Sequence, residues 1–183
     1  MQEYSDSEII EIFRNGENPN YAFNLLVKRY QEKVYMHVRR MVVDHDDAND
    51  VVQNTFIKAW KGLDNFREDA KVFTWLYRIA TNESLNFLKK KKLRTVLSLS
   101  SMKSELTDSY NSSPHISEDQ IVQKLQRAIL TLPDRQRLVF NMRYYDEMKY
   151  EEIAEVTGVT IGALKASYHI AAKKISEYML NNS

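Results

Sequence analysis

Between Trp75 and Lys90 the sequence sets side chains able to grip nucleic acid at the spacing of a helix. Arg78, Asn82, Asn86 and Lys89 or Lys90 recur every three or four residues, which aligns them on one face. Amides can bond base edges, cations can neutralise phosphates, and the preceding Trp75 and Tyr77 can stack on unpaired bases. The stripe runs into "KKKKLR", Lys89 to Arg94. Two readings stand side by side. Either this face binds unpaired nucleic acid, or its aromatics are core and its polar residues are a solvated surface with lysines that complement a helix C-terminus.

A second set lies in "EEIAEVTGVTIGALKASYHIAAKKI", Glu151 to Ile175. With Tyr150 as the first position of a helix-turn-helix, Ala154 lets two helices approach, Gly158 takes a left-handed turn and Leu164 anchors the second helix. Thr160 is a natural N-cap for that second helix. Leu164, Tyr168, Ala171 and Ile175 then face inward, leaving Ala163, Lys165, Ala166, Ser167, His169, Ile170 and Lys173 outside. Lys165 can donate to a guanine edge or a phosphate, Ser167 and His169 can bond bases, and Ile170 can pack on a thymine methyl. No arginine is present in this helix, and the same spacing also occurs in plain helical corners.

The elements that must hold these residues are helical. Only 4 Gly and 3 Pro occur in 183 residues, too few turns for an all-β chain. The absence of Cys removes disulfides and thiolate zinc sites and fits a reducing compartment. No run of about 18 apolar residues is present to span a membrane, and "MQEYSDSEIIEIF" is acidic where a signal peptide is basic, so a cytoplasmic protein is expected. A net charge of +1 hides an uneven distribution: residues 1–20 carry −4, residues 21–95 carry +6, residues 96–118 carry −2 and residues 119–183 carry +1.

Periodicity predicts a helix from about Asn20 to Met41, with Phe23, Leu26, Val27, Tyr30, Val34 and Val38 inward. After "DHDDAND" a second helix follows on Val51, Val52, Thr55, Phe56, Ala59 and Leu63, capped by Asp46 or Asp47. His45 and these acids lack coordination spacing with His37, so capping is preferred to a metal site. A third helix spans about Lys71 to Lys92, with Phe73, Leu76, Ala80, Ser84, Phe87 and Leu88 as its core stripe. Leu97 to Glu118, with eight Ser and one Pro, reads as a linker between two helical domains. Beyond it, Ile121, Leu125, Ala128, Ile129 and Leu132 mark one helix. Pro133 and Asp134 start another, which runs to Tyr144 and buries Leu138, Val139 and Met142.

The block from Asp50 to Lys92, "DVVQNTFIKAW…NFLKKKK", resembles the second conserved region of bacterial sigma factors. The block from Leu132 to Ile175, "LPDRQRLVF…IAAKKI", resembles the fourth. Their order, with a short linker and no third-region domain between them, is similar to the extracytoplasmic-function (ECF) class. The resemblance implies an all-α fold of two small helical domains: residues 1–95 for polymerase binding and minus-ten recognition, a linker at 96–118, and residues 119–183 for minus-thirty-five recognition.

It further implies that Asp50, Gln53, Asn54, Phe56, Ile57 and Trp60 dock on the clamp helices of the largest subunit of core RNA polymerase. Periodicity turns Gln53, Asn54 and Ile57 outward, while Phe56 and Trp60 also fit a core role. The loop "DNFREDAK" and the helix after it match the part that melts promoter DNA and captures a minus-ten base. That assigns Asn65, Phe66, Arg67, Lys71, Trp75, Arg78, Asn82, Asn86 and Lys89, with Asn82 facing the flipped base. Thr160, Lys165, Ala166, Ser167, His169, Ile170 and Lys173 would meet the minus-thirty-five duplex.

Family members often carry arginines where this sequence has Ser167, Ile170 and Ala172, so a differently read element and a shallower salt slope are expected. The resemblance implies core polymerase, promoter DNA and an anti-sigma factor as partners, no cofactor and no catalysed reaction. An autonomous helix-turn-helix regulator would instead bind a palindromic duplex unaided, and a polymerase-binding decoy would dock without starting transcription. The acids Glu105, Asp108 and Glu118 of the linker leave open a role as a nucleic-acid mimic.

Overall fold

The computed structural model describes residues 4–67, 70–99 and 120–181. The expected linker therefore lies largely outside the described residues, with its acids Glu105, Asp108 and Glu118. Among the described residues the regular structure is helical: α1 (Asp6–Arg14), α2 (Pro19–Val42), α3 (His45–Gly62), a 3-10 turn at Leu63–Asn65, α4 (Val72–Leu99), α5 (Gln120–Leu130), α6 (Asp134–Tyr144), α7 (Tyr150–Thr157) and α8 (Ile161–Asn181).

Local chemistry sets the helix starts. Ser5 and Glu8 form a reciprocal capping box at α1, Ser5 Oγ accepting from the Glu8 amide and Glu8 accepting from the Ser5 amide. Pro19 opens α2 behind Asn18, whose side chain accepts from the Tyr21 amide. The α3 cap is Asp44, not Asp46 or Asp47 as expected: its Oδ1 accepts from the amides of both, at 2.9 and 3.0 Å. Asp44 alone holds extended backbone just before the first helical residue, the geometry a cap requires. The Asp47 amide foremost, with the Asp46 amide, holds its carboxyl below the ordinary range against an upward push from burial.

The first unit is a bundle of α1 to α4. Ile9, Ile10, Leu26, Val34, Val38, Met41, Leu63 and Leu76 are essentially inaccessible at its centre. Phe13, Phe23 and Trp60 meet edge-on or tilted between α1, α2 and α3. Helix α4 runs about two turns further than its expected end at Lys92, so the first residues read as linker, 96–99, are helical.

In the second unit α8 packs on α5, α6 and α7. Phe140 stacks on Tyr168 with centroids 5.6 Å apart, tying α6 to the second helix-turn-helix helix. Ile121 was expected to mark the inner face of α5 but is 66% exposed.

The two units do not stand apart as tethered domains. Helix α6 packs on α2, and α7 packs on α4. Leu138, Val139, Met142, Met148, Ile153 and Val156 join the same apolar cluster as the first unit's core. Apolar surface shared between the units is thereby taken out of water, which favours closure.

Candidate nucleic-acid and polymerase interfaces

Helix α3 presents Asp50, Gln53, Asn54 and Ile57 as one exposed strip, and Ile57 is 47% exposed despite being apolar. An unpartnered isoleucine among polar neighbours is suited to docking. Phe56 corrects the expected set. It is 8% exposed and packs edge-on against Phe23, so its ring belongs to the bundle core. Trp60 is half-buried and sits 5.0 Å from both Phe13 and Phe23, again facing inward. One residue of helix rotation separates Phe56 from Ile57, about 100°, and that angle decides which side each takes.

Along α4 the polar stripe is real. Arg78, Asn82, Asn86 and Lys89 are all exposed. Ahead of it, Asn65, Arg67 and Lys71 are exposed too, while Glu68 and Asp69 of the loop lie outside the described residues. Three aromatics near the stripe are engaged in packing, which for Trp75 and Tyr77 is the core reading of the two that the sequence allows. Phe66 is 5% exposed and lies 5.0 Å from the Trp75 ring. Trp75 is half-buried, and its indole rests so close to Gly62 that a Cβ there would meet it at 3.2 Å. Tyr77 is 2% exposed, donates its hydroxyl to the Lys33 carbonyl and lies against His37 and Phe73. Burial raises its phenol's pKa, helped by the Asp146 charge, so it stays neutral. The Phe66 and Tyr77 rings are closed off by this packing, whereas Trp75 keeps part of its surface exposed.

Of the basic run, Lys89 and Lys90 point outward, while Lys91 meets Asp47 at 2.6 Å and Lys92 meets Asp134 at 2.7 Å. Part of the run therefore joins helices, contrary to a wholly phosphate-facing cluster. Lys58 and Glu83, 2.5 Å apart, likewise tie α3 to α4 beside Asn82.

The helix-turn-helix geometry agrees with its sequence pattern. Gly158 has φ +71° and ψ +13° and caps α7 in the left-handed region. The Thr160 carbonyl accepts from Leu164 and its hydroxyl from the Ala163 amide, starting α8. Leu164, Ala171 and Ile175 are buried and Tyr168 is half-buried. Thr160, Lys165, Ala166, His169, Ile170 and Lys173 are exposed and Ser167 is partly so, giving one outward ridge of mixed donors and a single apolar contact, Ile170, at 45% exposure. The Lys165 ammonium sits 5.8 Å from the Tyr150 ring, which Arg143 also approaches at 5.4 Å.

Three further residues escape sequence reasoning altogether. The Asp146 carboxylate accepts from Arg40 at 2.5 Å and lies 3.3 Å from His37 Nδ1, bridging positions more than 100 apart in the chain. Nothing local in the sequence pairs residues at that separation. Among the described residues no helix is long and apolar enough to cross a membrane.

An exposed polar stripe on one helical unit and a helix-turn-helix on the other define an all-helical protein of the DNA-binding, helix-turn-helix kind. Residues 26–94 match the family model Sigma-70 region 2, and residues 122–175 match Sigma-70, region 4. The ECF RNA polymerase sigma-E factors of Salmonella typhimurium (strain LT2) and Escherichia coli (strain K12) are each 35% identical over 182 residues, covering 95% of this chain and 94% of the relative. The ECF RNA polymerase sigma factor SigW of Bacillus subtilis (strain 168) is 33% identical over 156 residues, covering 81% of this chain and 83% of the relative. The chain belongs to the extracytoplasmic-function class of the sigma-70 family of RNA polymerase sigma factors.

The same fold appears in CnrH, solved in complex with the cytosolic domain of CnrY, with a TM-score of 0.70 at 23% identity over 97% of this chain and 99% of that one. It appears again in the sigma factor RpoE of Bartonella quintana, solved with the anti-sigma factor NepR, with a TM-score of 0.69 at 23% identity over 86% of this chain and 96% of that one.

Proposed function

We propose that this sigma factor binds core RNA polymerase through α3 of its first unit and reads promoters with two surfaces, α4 for the minus-ten element and α8 for the minus-thirty-five element. The observation that carries the reading is the conjunction of the exposed α4 stripe with the outward ridge of α8 in one chain of this family. Asp50, Gln53, Asn54 and Ile57 form the docking strip, with Phe56 and Trp60 supporting it from the core. Asn65, Arg67 and Lys71 lead into the stripe of Arg78, Asn82, Asn86 and Lys89. Phe66 and Trp75 shape its near end as a packed pair. Thr160, Lys165, Ala166, Ser167, His169, Ile170 and Lys173 meet the duplex.

Residues 1–95 and 119–183 act as the two functional units. No bond is made or broken by the chain. Bases captured on α4 offset an unstacking cost of a few kcal/mol per step, and an arginine-free reading helix suffices because polymerase supplies much of the affinity. The protein works in the cytoplasm, where polymerase and promoters are. An anti-sigma factor is proposed as its regulator, in keeping with the complexes in which CnrH and RpoE were solved.

The test is reconstituted transcription with purified core polymerase and genomic DNA. Discrete start sites that depend on the chain are expected. Binding to core without any start site would indicate a decoy, and tight duplex binding without polymerase an autonomous regulator.

A further inference from the structure

Between the two units lies a polar cluster too buried to be incidental. The Asp146 side chain is 7% exposed, in the turn between α6 and α7, and takes Arg40 and His37 from α2. His37 is fully buried, holds Thr81 of α4 through Nε2 at 3.0 Å and stacks against Tyr77. The Arg40 guanidinium also lies 4.6 Å from the Tyr145 ring. Nearby, Arg137 of α6 donates to the Met41 carbonyl and Asn141 reaches the Arg40 carbonyl. On the other side of the same contact Arg78 Nε and Nη2 donate to the Glu155 carbonyl, in the last turn of α7, at 3.1 and 2.6 Å. Lys71 more loosely meets Glu152 at 3.5 Å. One cation of the α4 stripe, Arg78, and the lysine just ahead of the helix thus both meet α7.

We propose that Asp146, with Arg40 and His37, latches the second unit onto the first in the free chain, and that this closed form withholds Arg78 from nucleic acid. The withholding half rests on the reading of α4 given above; the latch does not.

The chemistry suits a contact that opens. Buried ion pairs add little net stability over apolar packing, yet removing one partner strands the other charge, so such a pair fixes one arrangement while leaving it breakable. Asn141 Oδ1 is buried at this contact with no partner among the described residues, a further cost of staying closed. The Arg78 guanidinium reaches the C-terminal end of α7, where a cation is favoured, but a phosphate is a stronger partner than a single carbonyl. All four residues of the stripe stay exposed in the closed form, so what is withheld is the pair of Arg78 donors, Nε and Nη2, that the Glu155 carbonyl accepts from.

The chain has no native cysteine, so Glu32→Cys/Glu177→Cys in the full-length protein takes a donor and acceptor dye pair for single-molecule energy transfer. Arg40→Ala and Asp146→Ala are each expected to raise the open-to-closed ratio at least tenfold. The double variant should open no further than Asp146→Ala alone, because either change breaks the same pair. Unchanged transfer, or independent effects that multiply, overturns the latch. If Asp146→Ala disturbs the helix-turn-helix by circular dichroism, Arg40→Ala and His37→Leu, both on α2, carry the comparison. A fluorescent single-stranded oligonucleotide from a promoter used in the reconstitution should bind the free variants more tightly, by the factor by which the open fraction rises. Adding Arg78→Ala should remove that gain. Opening without a gain overturns the withholding and leaves the transcription result to judge the sigma reading on its own.

Discussion

Phe56 and Ile57 are neighbours in sequence and opposites in consequence, which makes them the sharpest test of the docking strip. Phe56 is 8% exposed with its ring edge-on to Phe23 at 6.4 Å, whereas Ile57 is 47% exposed on the outer face of α3. Phe56→Ala removes a packed ring and leaves a cavity, at a cost of about 3–5 kcal/mol in folding stability. Ile57→Ala removes a side chain already half in water and should shift stability by no more than about 0.5–1 kcal/mol. If Ile57 is an anchor on polymerase, its truncation costs about 1–2 kcal/mol of binding, roughly 5- to 30-fold in affinity. Urea unfolding followed by circular dichroism gives the first quantity, and anisotropy competition for core polymerase at a temperature where both variants are folded gives the second. Phe56→Ala should bind core normally once folded, and Ile57→Ala should fold normally and bind weakly. The reverse pattern, or equal binding losses, would refute the assignment of the α3 outer face.

Lys165→Ala should impair discrimination between promoters more than polymerase binding; equal losses in start-site selection and in core affinity would count against that division of labour. Gly158→Ala places a Cβ in open space but forces φ +71° on an L residue, so strain alone should lower stability by about 1–2 kcal/mol, read as a fall in Tm. Asp44→Asn keeps the cap oxygen but removes its charge. The folded-state pKa of Asp44 is depressed, so its charge stabilises the fold above the unfolded pKa of about 3.9 and that contribution fades as pH falls through the lower folded value. The variant should therefore trail the natural chain at pH 7, and the gap should narrow as the pH is lowered below about 3.9 in urea titrations; a constant gap would show that the charge contributes nothing.

Legibility in the sequence followed the range of the forces involved. The α6 boundaries, the left-handed Gly158, the Thr160 cap and the inward set Leu164, Tyr168, Ala171 and Ile175 were all readable, because helix geometry and capping act within a few residues. The Arg78–Lys89 stripe was readable as a face for the same reason. The cap of α3 was missed by two residues, since three aspartates within four positions offer similar chemistry and only the extended backbone at Asp44 selects one. The packing of Phe66, Trp75 and Tyr77 could not be read, because an aromatic ring suits a base or a core equally well and only neighbours such as Gly62, His37 and Phe73 show where each ring lies.

The sequence by itself determined that the chain is helical, that it ends in a helix-turn-helix, and that two sigma-type blocks occur in order. Tertiary structure alone decided the rest. It turned Phe56 in and Ile57 out, spent Lys91, Lys92 and Arg78 on other helices, and buried Arg137 and Asn141 against α2. It also brought Asp146 to Arg40 and His37. Periodicity reports which face of a helix is apolar, but a polar residue's partner is set by the packing of distant helices. A carboxylate more than 100 positions away leaves no mark on the local pattern of the cation it will meet.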